Sequence, residues 1–154
     1  MNILRLGAEN DLSGAIHLLQ RFFREEGFET HDHVIAANTQ RMAALDSCAI
    51  LVAVAEDAAR PIAVATVSMD FGIEFGWSAE IGDLYVLPEW RGKAVSRALL
   101  NAAEEFLGEK GAAGLAVTLT PHALKERGLA DYYQRMGFAN EGRMILWRDL
   151  KTGA

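Results

Sequence analysis

Tyr85-Val86-Leu87-Pro88-Glu89-Trp90-Arg91-Gly92-Lys93-Ala94-Val95-Ser96-Arg97-Ala98-Leu99-Leu100 decides the fold of this chain. It reads as the end of an apolar strand, a tight basic turn, and then a helix. Pro88 has no N–H to give a sheet ladder, so it marks the strand's end. Beyond the turn, Val95, Ala98, Leu99, Ala102, Phe106 and Leu107 recur at helical spacing and predict a helix over 94–109. Gly108 and Gly111 offer its stop. This order aims the N–H groups of a helix start at one spot, and such a spot attracts a phosphate. Arg91, Lys93 and Arg97 add positive charge nearby. A basic turn standing in solvent with no ligand is the plain alternative.

Residues 79–87 give the strand before the turn, and 115–119 give a short buried strand after the helix. A strand–helix–strand crossover of this kind makes its two strands parallel and its connection right-handed. Two further strand-like runs, 49–55 and 62–69, flank the polar Glu56-Asp57-Ala58-Ala59-Arg60-Pro61 and predict an antiparallel hairpin. Residues 2–6 alternate as a first strand. Asn10 or Asp11 caps a helix carrying Leu12, Ala15, Ile16, Leu19, Phe22 and Phe23, which Gly27 ends. A second helix is expected over 33–45, another over 123–136 and a last strand over 144–147, with 70–77 as a loop. The sum is a single α/β domain over 1–154. Its sheet is mixed and mostly antiparallel, with a central parallel strand pair and helices on both faces.

Half of the 154 residues are apolar, enough for a substantial core. The formal net charge of -6 argues against nucleic acid and anionic membrane surfaces as partners. Cys48 stands alone in an apolar run, which reads as an inert thiol, and no Cys/His spacing suggests a metal. Charges at Arg5, Glu9 and Asp11 interrupt the start, so no signal peptide is expected. No apolar run approaches the length of a membrane span. The expected location is cytoplasmic.

The segment 83–100 resembles the acetyl-CoA motif of the GCN5-related N-acetyltransferase (GNAT) superfamily. Ala130-Asp131-Tyr132-Tyr133-Gln134-Arg135-Met136-Gly137-Phe138 is similar to that superfamily's C-terminal A-x-x-Y-x-x-x-G-F signature. The two occur in the right order, and the resemblance covers nearly the whole chain. The usual turn reads Gln/Arg-x-x-Gly-x-Gly/Ala. Arg91 fits it, but Ala94 and Ser96 stand at its small positions. Early helical residues have negative φ, so glycine is not strictly required there, and weakened but surviving acetyl-CoA binding is expected. Arg127 occupies the position nearest to the family's frequent Asn.

The resemblance implies an N-acetyltransferase that moves acetyl from acetyl-CoA to a primary amine by direct attack. The backbone of Arg91, Gly92, Lys93, Ala94, Val95 and Ser96 would grip the pyrophosphate. Leu84 and Val86 would pair with pantetheine through their main chain, with the Val86 N–H as oxyanion donor. Tyr133, four residues before Gly137, would protonate the leaving thiolate, with Tyr132 as the competing choice and packing on a helix face as the structural alternative. Glu80 is the candidate base that frees the attacking amine, with Asp83 as its rival; a solvated charge or a salt bridge is the alternative for either. Glu80 and Val86 are an even number apart, so an unbulged strand points both to one face, and a bulge would break that inference. The aromatics and carboxylates of 70–77, with His31, Asp32 and His33, suit a small cationic or aminoglycoside-like amine, with hairpin packing and surface histidines as the alternative. Homodimers are common in the superfamily. A non-catalytic acyl-CoA-binding module is the rival reading.

Overall fold

The computed structural model describes residues 1–150, the side chains of 126 and 127 excepted. It falls into two compact units, 1–118 and 119 onward. In the first, strand β1 (Asn2–Leu6) leads to helices α1 (Ser13–Glu25) and α2 (Asp32–Ala43). Strands β2 (Cys48–Val54), β3 (Ala63–Gly72) and β4 (Gly76–Val86) follow, then α3 (Val95–Lys110) and β5 (Leu115–Val117). The sheet runs in the order β1-β2-β3-β4-β5. Every pairing is antiparallel except β4 with β5, which is parallel as the crossover requires. The parallel pair lies at one end of the described sheet.

Two-residue alternation assigns the faces. Ile50, Val52, Val64 and Tyr85 pack with Ala15, Leu18, Leu19 and Ile35, so α1 and α2 cover that face. Leu51, Ala53, Ala63, Ala65 and Val67 point the other way, and all are buried. There α3 lays down Leu99, Leu100, Ala103, Phe106 and Leu107, also buried. Helix α1 starts beside Asp11, whose carboxylate accepts from Ser13 N at 3.0 Å, while Asn10 instead accepts from Gly7 N.

Three sequence expectations change. Residues 70–77 do not form a loop: β3 and β4 stay paired out to Gly72 and Gly76, and only 73–75 turn. The helix expected over 123–136 is two, α4 (Pro121–Arg127) and α5 (Leu129–Arg135), because Gly128 sits at φ 56 and breaks the ladder. Residues 144–147 form no strand; Met144, Ile145, Leu146 and Trp147 are all exposed. No helix among the described residues is long and apolar enough to cross a membrane.

Leu99, fully buried on α3, carries the helix against the sheet. Leu99→Ala should cost about 3 kcal/mol of unfolding free energy, measured by urea denaturation.

Candidate active site

The register of β3 against β4 slips once. Thr66 faces Asp83 and Val67 faces Ile81, so Gly82 is an extra residue, a β-bulge. Ile81 therefore shares the α3 face with Val67. Glu80, opposite Ser68, shares the α1/α2 face with Thr66, Asp83 and Tyr85. This corrects the expectation from parity, as a bulge must. Glu80 and Val86 point to opposite faces, whereas Glu80 and its rival Asp83 point to the same one.

Asp83 accepts a 2.6 Å hydrogen bond from Thr66 Oγ1. Burial pushes its carboxyl above the usual range; the Thr66 bond opposes that, and the like charge of Glu80 adds to it. Glu80 is more exposed and accepts from Thr118 Oγ1 at 2.7 Å. Thr118 and Thr66 escaped the sequence reading. A signal for Thr118 existed, because the parallel register sets Glu80 beside Ala116, two residues before it.

Past the bulge, β4 parts from β5. The parallel pairing covers residues 79–81 alone, and 82–86 have no strand neighbour on that side among the described residues. Leu87 N donates to Ile62 O, so the main chain of Leu87 faces β3. By alternation, the N–H and C=O of Leu84 and Val86 face the open side. The Val86 carbonyl there accepts 2.9 Å from Arg91 Nε.

After β4, residues 88–90 make one 3₁₀ turn and the chain enters the exposed bend of 91–94. Gly92 has φ 74 and Ala94 has φ 62, ψ 19. Ala94 is the only non-glycine residue described with positive φ, which corrects the expectation that helical φ would prevail there. As N-cap it belongs to the bend rather than to the helix, and glycine's freedom is what the position asks for. No side chain caps α3. Ala98 N donates to Ala94 O at 3.1 Å, the first bond of the ladder, and the amides before it point out of the helix start. Val95 is buried beneath the bend, Lys93 Nζ lies 5.0 Å from the Trp90 ring centre, and Arg97 is exposed.

Arg91 does not turn toward that helix start. Its guanidinium pairs with Glu25 at 3.5 Å and lies over the Tyr85 ring. Tyr85 OH donates to Glu25 at 2.7 Å. Burial, then the Glu25 carboxylate, pushes the Tyr85 phenol up to about 12. Burial alone would raise Glu25, but Tyr85, Arg91 and Arg21 outweigh it and hold that carboxyl below its ordinary value. Nothing in the sequence singled out Glu25.

Phe71 and Trp77 of the β3–β4 hairpin do not join Glu80. Phe71 pairs with Trp77 edge to face at 5.2 Å, and the register puts both on the face opposite Glu80. His31 and His33 stack at 5.6 Å, and Asp32 between them pairs with Arg24. Tyr133 belongs to the second unit, where it is buried and meets Tyr132 and Phe138 edge to face, with ring centres 5.2 and 5.5 Å away. Burial pushes its phenol up to about 12, with Tyr132 adding to the shift. The side chain of Arg127 lies outside the described residues.

A strand edge left open beside a parallel neighbour, then a bend and an uncapped helix start, offers main-chain donors and a helix N-terminus to an extended, phosphate-bearing ligand. Residues 12–138 match the Acetyltransferase (GNAT) family, and the chain belongs to it. Members of that family use acetyl-CoA. Among curated proteins none matches the chain closely enough to count as a relative. Solved structures do. The chain is similar to AAC(6')-Iy in complex with the bisubstrate analogue CoA-S-monomethyl-acetylneamine, at 20% identity, 97% of each chain and TM-score 0.80. It is similar to an aminoglycoside acetyltransferase from an uncultured soil metagenomic sample in complex with sisomicin, at 20% identity, 97% and 96% coverage and TM-score 0.76. It is also similar to a ribosomal-protein-alanine N-acetyltransferase from Brucella melitensis biovar Abortus 2308, at 14% identity, 97% and 100% coverage and TM-score 0.75. At such identities the likeness concerns the fold.

Two outcomes follow from this geometry. Ala94→Gly should raise the unfolding free energy by about 1 kcal/mol, because an L-residue in the left-handed region costs about that much; urea denaturation reads it. Asp83 holds its proton more tightly folded than unfolded. Between its ordinary value of 3.8 and its raised one the unfolded chain binds fewer protons, so stability falls as pH rises through that window. Asp83→Asn should remove that part of the fall, so its melting temperature should gain on the wild type as the pH is raised above 3.8.

Proposed function

We propose that this chain is an N-acetyltransferase that binds acetyl-CoA along the open edge of β4 and passes its acetyl group to a primary amine. The observation that carries the reading is the outward-facing main chain of Leu84 and Val86, continuous with the bend and the start of α3. Extended pantetheine carries amides that suit a strand edge. The pyrophosphate suits the N–H groups and backbone of Arg91, Gly92, Lys93, Ala94, Val95 and Ser96 at the positive end of a 16-residue helix. The residues present fit the cosubstrate: the bend is exposed, and Lys93 on it and Arg97 on the first turn of α3 remain at hand.

The reaction is acyl transfer in a ternary complex. The amine nitrogen attacks the thioester carbonyl carbon, and the Val86 N–H stabilises the oxygen as it gains charge; such a donor is worth about 2.7–4 kcal/mol. The tetrahedral intermediate then breaks its C–S bond, and its nitrogen gives up its second proton to water, leaving a neutral amide. Alkylammonium is protonated at neutral pH, so a base must first remove a proton. Glu80, oriented by Thr118, takes that proton directly or through water. The departing thiolate takes one from the Tyr133 phenol, which its raised pKa keeps protonated across the working range. Re-equilibration of both groups with water balances the protons. Small cationic or aminoglycoside-like amines are the favoured acceptors; two of the similar structures are aminoglycoside enzymes or complexes.

The test joins calorimetric titration with acetyl-CoA to thiol release over an amine panel. Native protein should bind acetyl-CoA and release thiol only with an amine present. Tyr133→Phe should lower kcat about 10²–10³-fold and Glu80→Gln by a similar factor, with the acetyl-CoA Kd unchanged in both. Binding without turnover on any amine would favour a non-catalytic acyl-CoA module. No binding at all would remove the enzyme reading.

A further inference from the structure

A half-open cavity of about 100 Å³ sits between α1, α2 and the sheet, on the same face as Glu80. Leu19, Phe23 and Met42 give it apolar walls, Asn38 is polar, and Thr66 and Asp83 line its sheet side. We propose that this cavity seats a second, non-reacting ammonium group of the acceptor on a short hydrocarbon arm, with Asp83 as counter-ion, so that the enzyme prefers diamino acceptors. The inference rests on the acetyltransfer reading above and names the acceptor class for the same site.

Four observations carry it. No basic residue lines the cavity, so the Asp83 carboxyl has no cationic partner there. Thr66 holds Oδ2, while Oδ1 takes no protein hydrogen bond among the described residues. An incoming ammonium would find a desolvated acceptor and would relieve both the burial and the repulsion from Glu80 that Asp83 now bears. The apolar walls and the volume, about three waters' worth, suit a short alkyl arm rather than a ring system.

Spacing adds the second amine. Ser68 and Thr66 are two apart on β3, and they stand opposite Glu80 and Asp83. The two carboxylates are thus successive along one face, at strand positions about 7 Å apart. A reacting amine at Glu80 and an ammonium at Asp83 fit one short diamine. A monoamine can satisfy only one of them.

The experiment compares 1,4-diaminobutane with 1-aminobutane in the wild type and in Asp83→Asn, reading released thiol. The wild type should favour the diamine in kcat/KM by about ten-fold or more, chiefly through KM. In Asp83→Asn, which keeps an acceptor for Thr66, that preference should collapse to near two-fold. A wild type without preference, or a variant that keeps it, overturns the inference while leaving acetyltransfer standing. Should neither amine be acetylated, the parent reading is what suffers, and calorimetric titration of both amines into the CoA-loaded protein then reads the cavity directly. Saturable binding of the diamine alone, lost in Asp83→Asn, supports the inference; no such binding overturns it.

Discussion

One extra residue in β4 governs the arrangement of this molecule's first unit. Gly82 has no counterpart on β3, so every side chain beyond it changes face relative to those before it. Up to Ile81 the strand keeps company with β5; from Gly82 on that company ends. A bulge also sharpens the local twist, which is the physical reason a strand turns away from its neighbour at that point. A side chain at position 82 would be tight, since a Cβ there would lie 3.2 Å from Thr66 Oγ1. The same Thr66 hydroxyl holds Asp83, so the bulge and the carboxylate are secured by one residue.

A second tie runs from α1 to the bend. Glu25 receives the Tyr85 hydroxyl and the Arg91 guanidinium, and Arg91 in turn holds the Val86 carbonyl. The ion pair is partly exposed, with side chains 41% and 30% accessible, so its charge attraction alone contributes little. Its geometric effect is larger. Arg91 carries one side chain's length of order from a helix end to the last turn of β4, and it does so at the expense of a cation at the start of α3.

What could be read from residues alone followed from local rules with few exceptions. Pro88 ending a strand and the apolar stripe from Val95 to Leu107 placed the end of β4, the bend and both ends of α3 within a residue, while the start of β4 lies three residues before the expected one. The parallel β4–β5 pair came from crossover geometry. Glu80 and Val86 were placed on one face because counting by twos assumes an unbroken pleat, and nothing local announces a bulge at Gly82. Ala94 misled because the bend extends one residue further than the helical pattern suggests. Gly128 was overlooked inside a helical run, although its left-handed backbone divides it. Residues 144–147 have the composition of a strand, but strand formation needs a partner as well as propensity, and none is described. Glu25 and Thr66 belong to long-range pairings that no motif encodes.

Trp90 occupies a telling place in this arrangement. Its indole lies beneath the Lys93 ammonium on the very bend that leads into α3. An arriving diphosphate would draw that cation off the ring, and the ring's electronic surroundings would change with it. On the proposed function, the chain thus carries an intrinsic optical reporter beside its diphosphate site. Emission from Trp90 should follow occupancy without any attached dye, over a steady background from Trp77 and the water-facing Trp147.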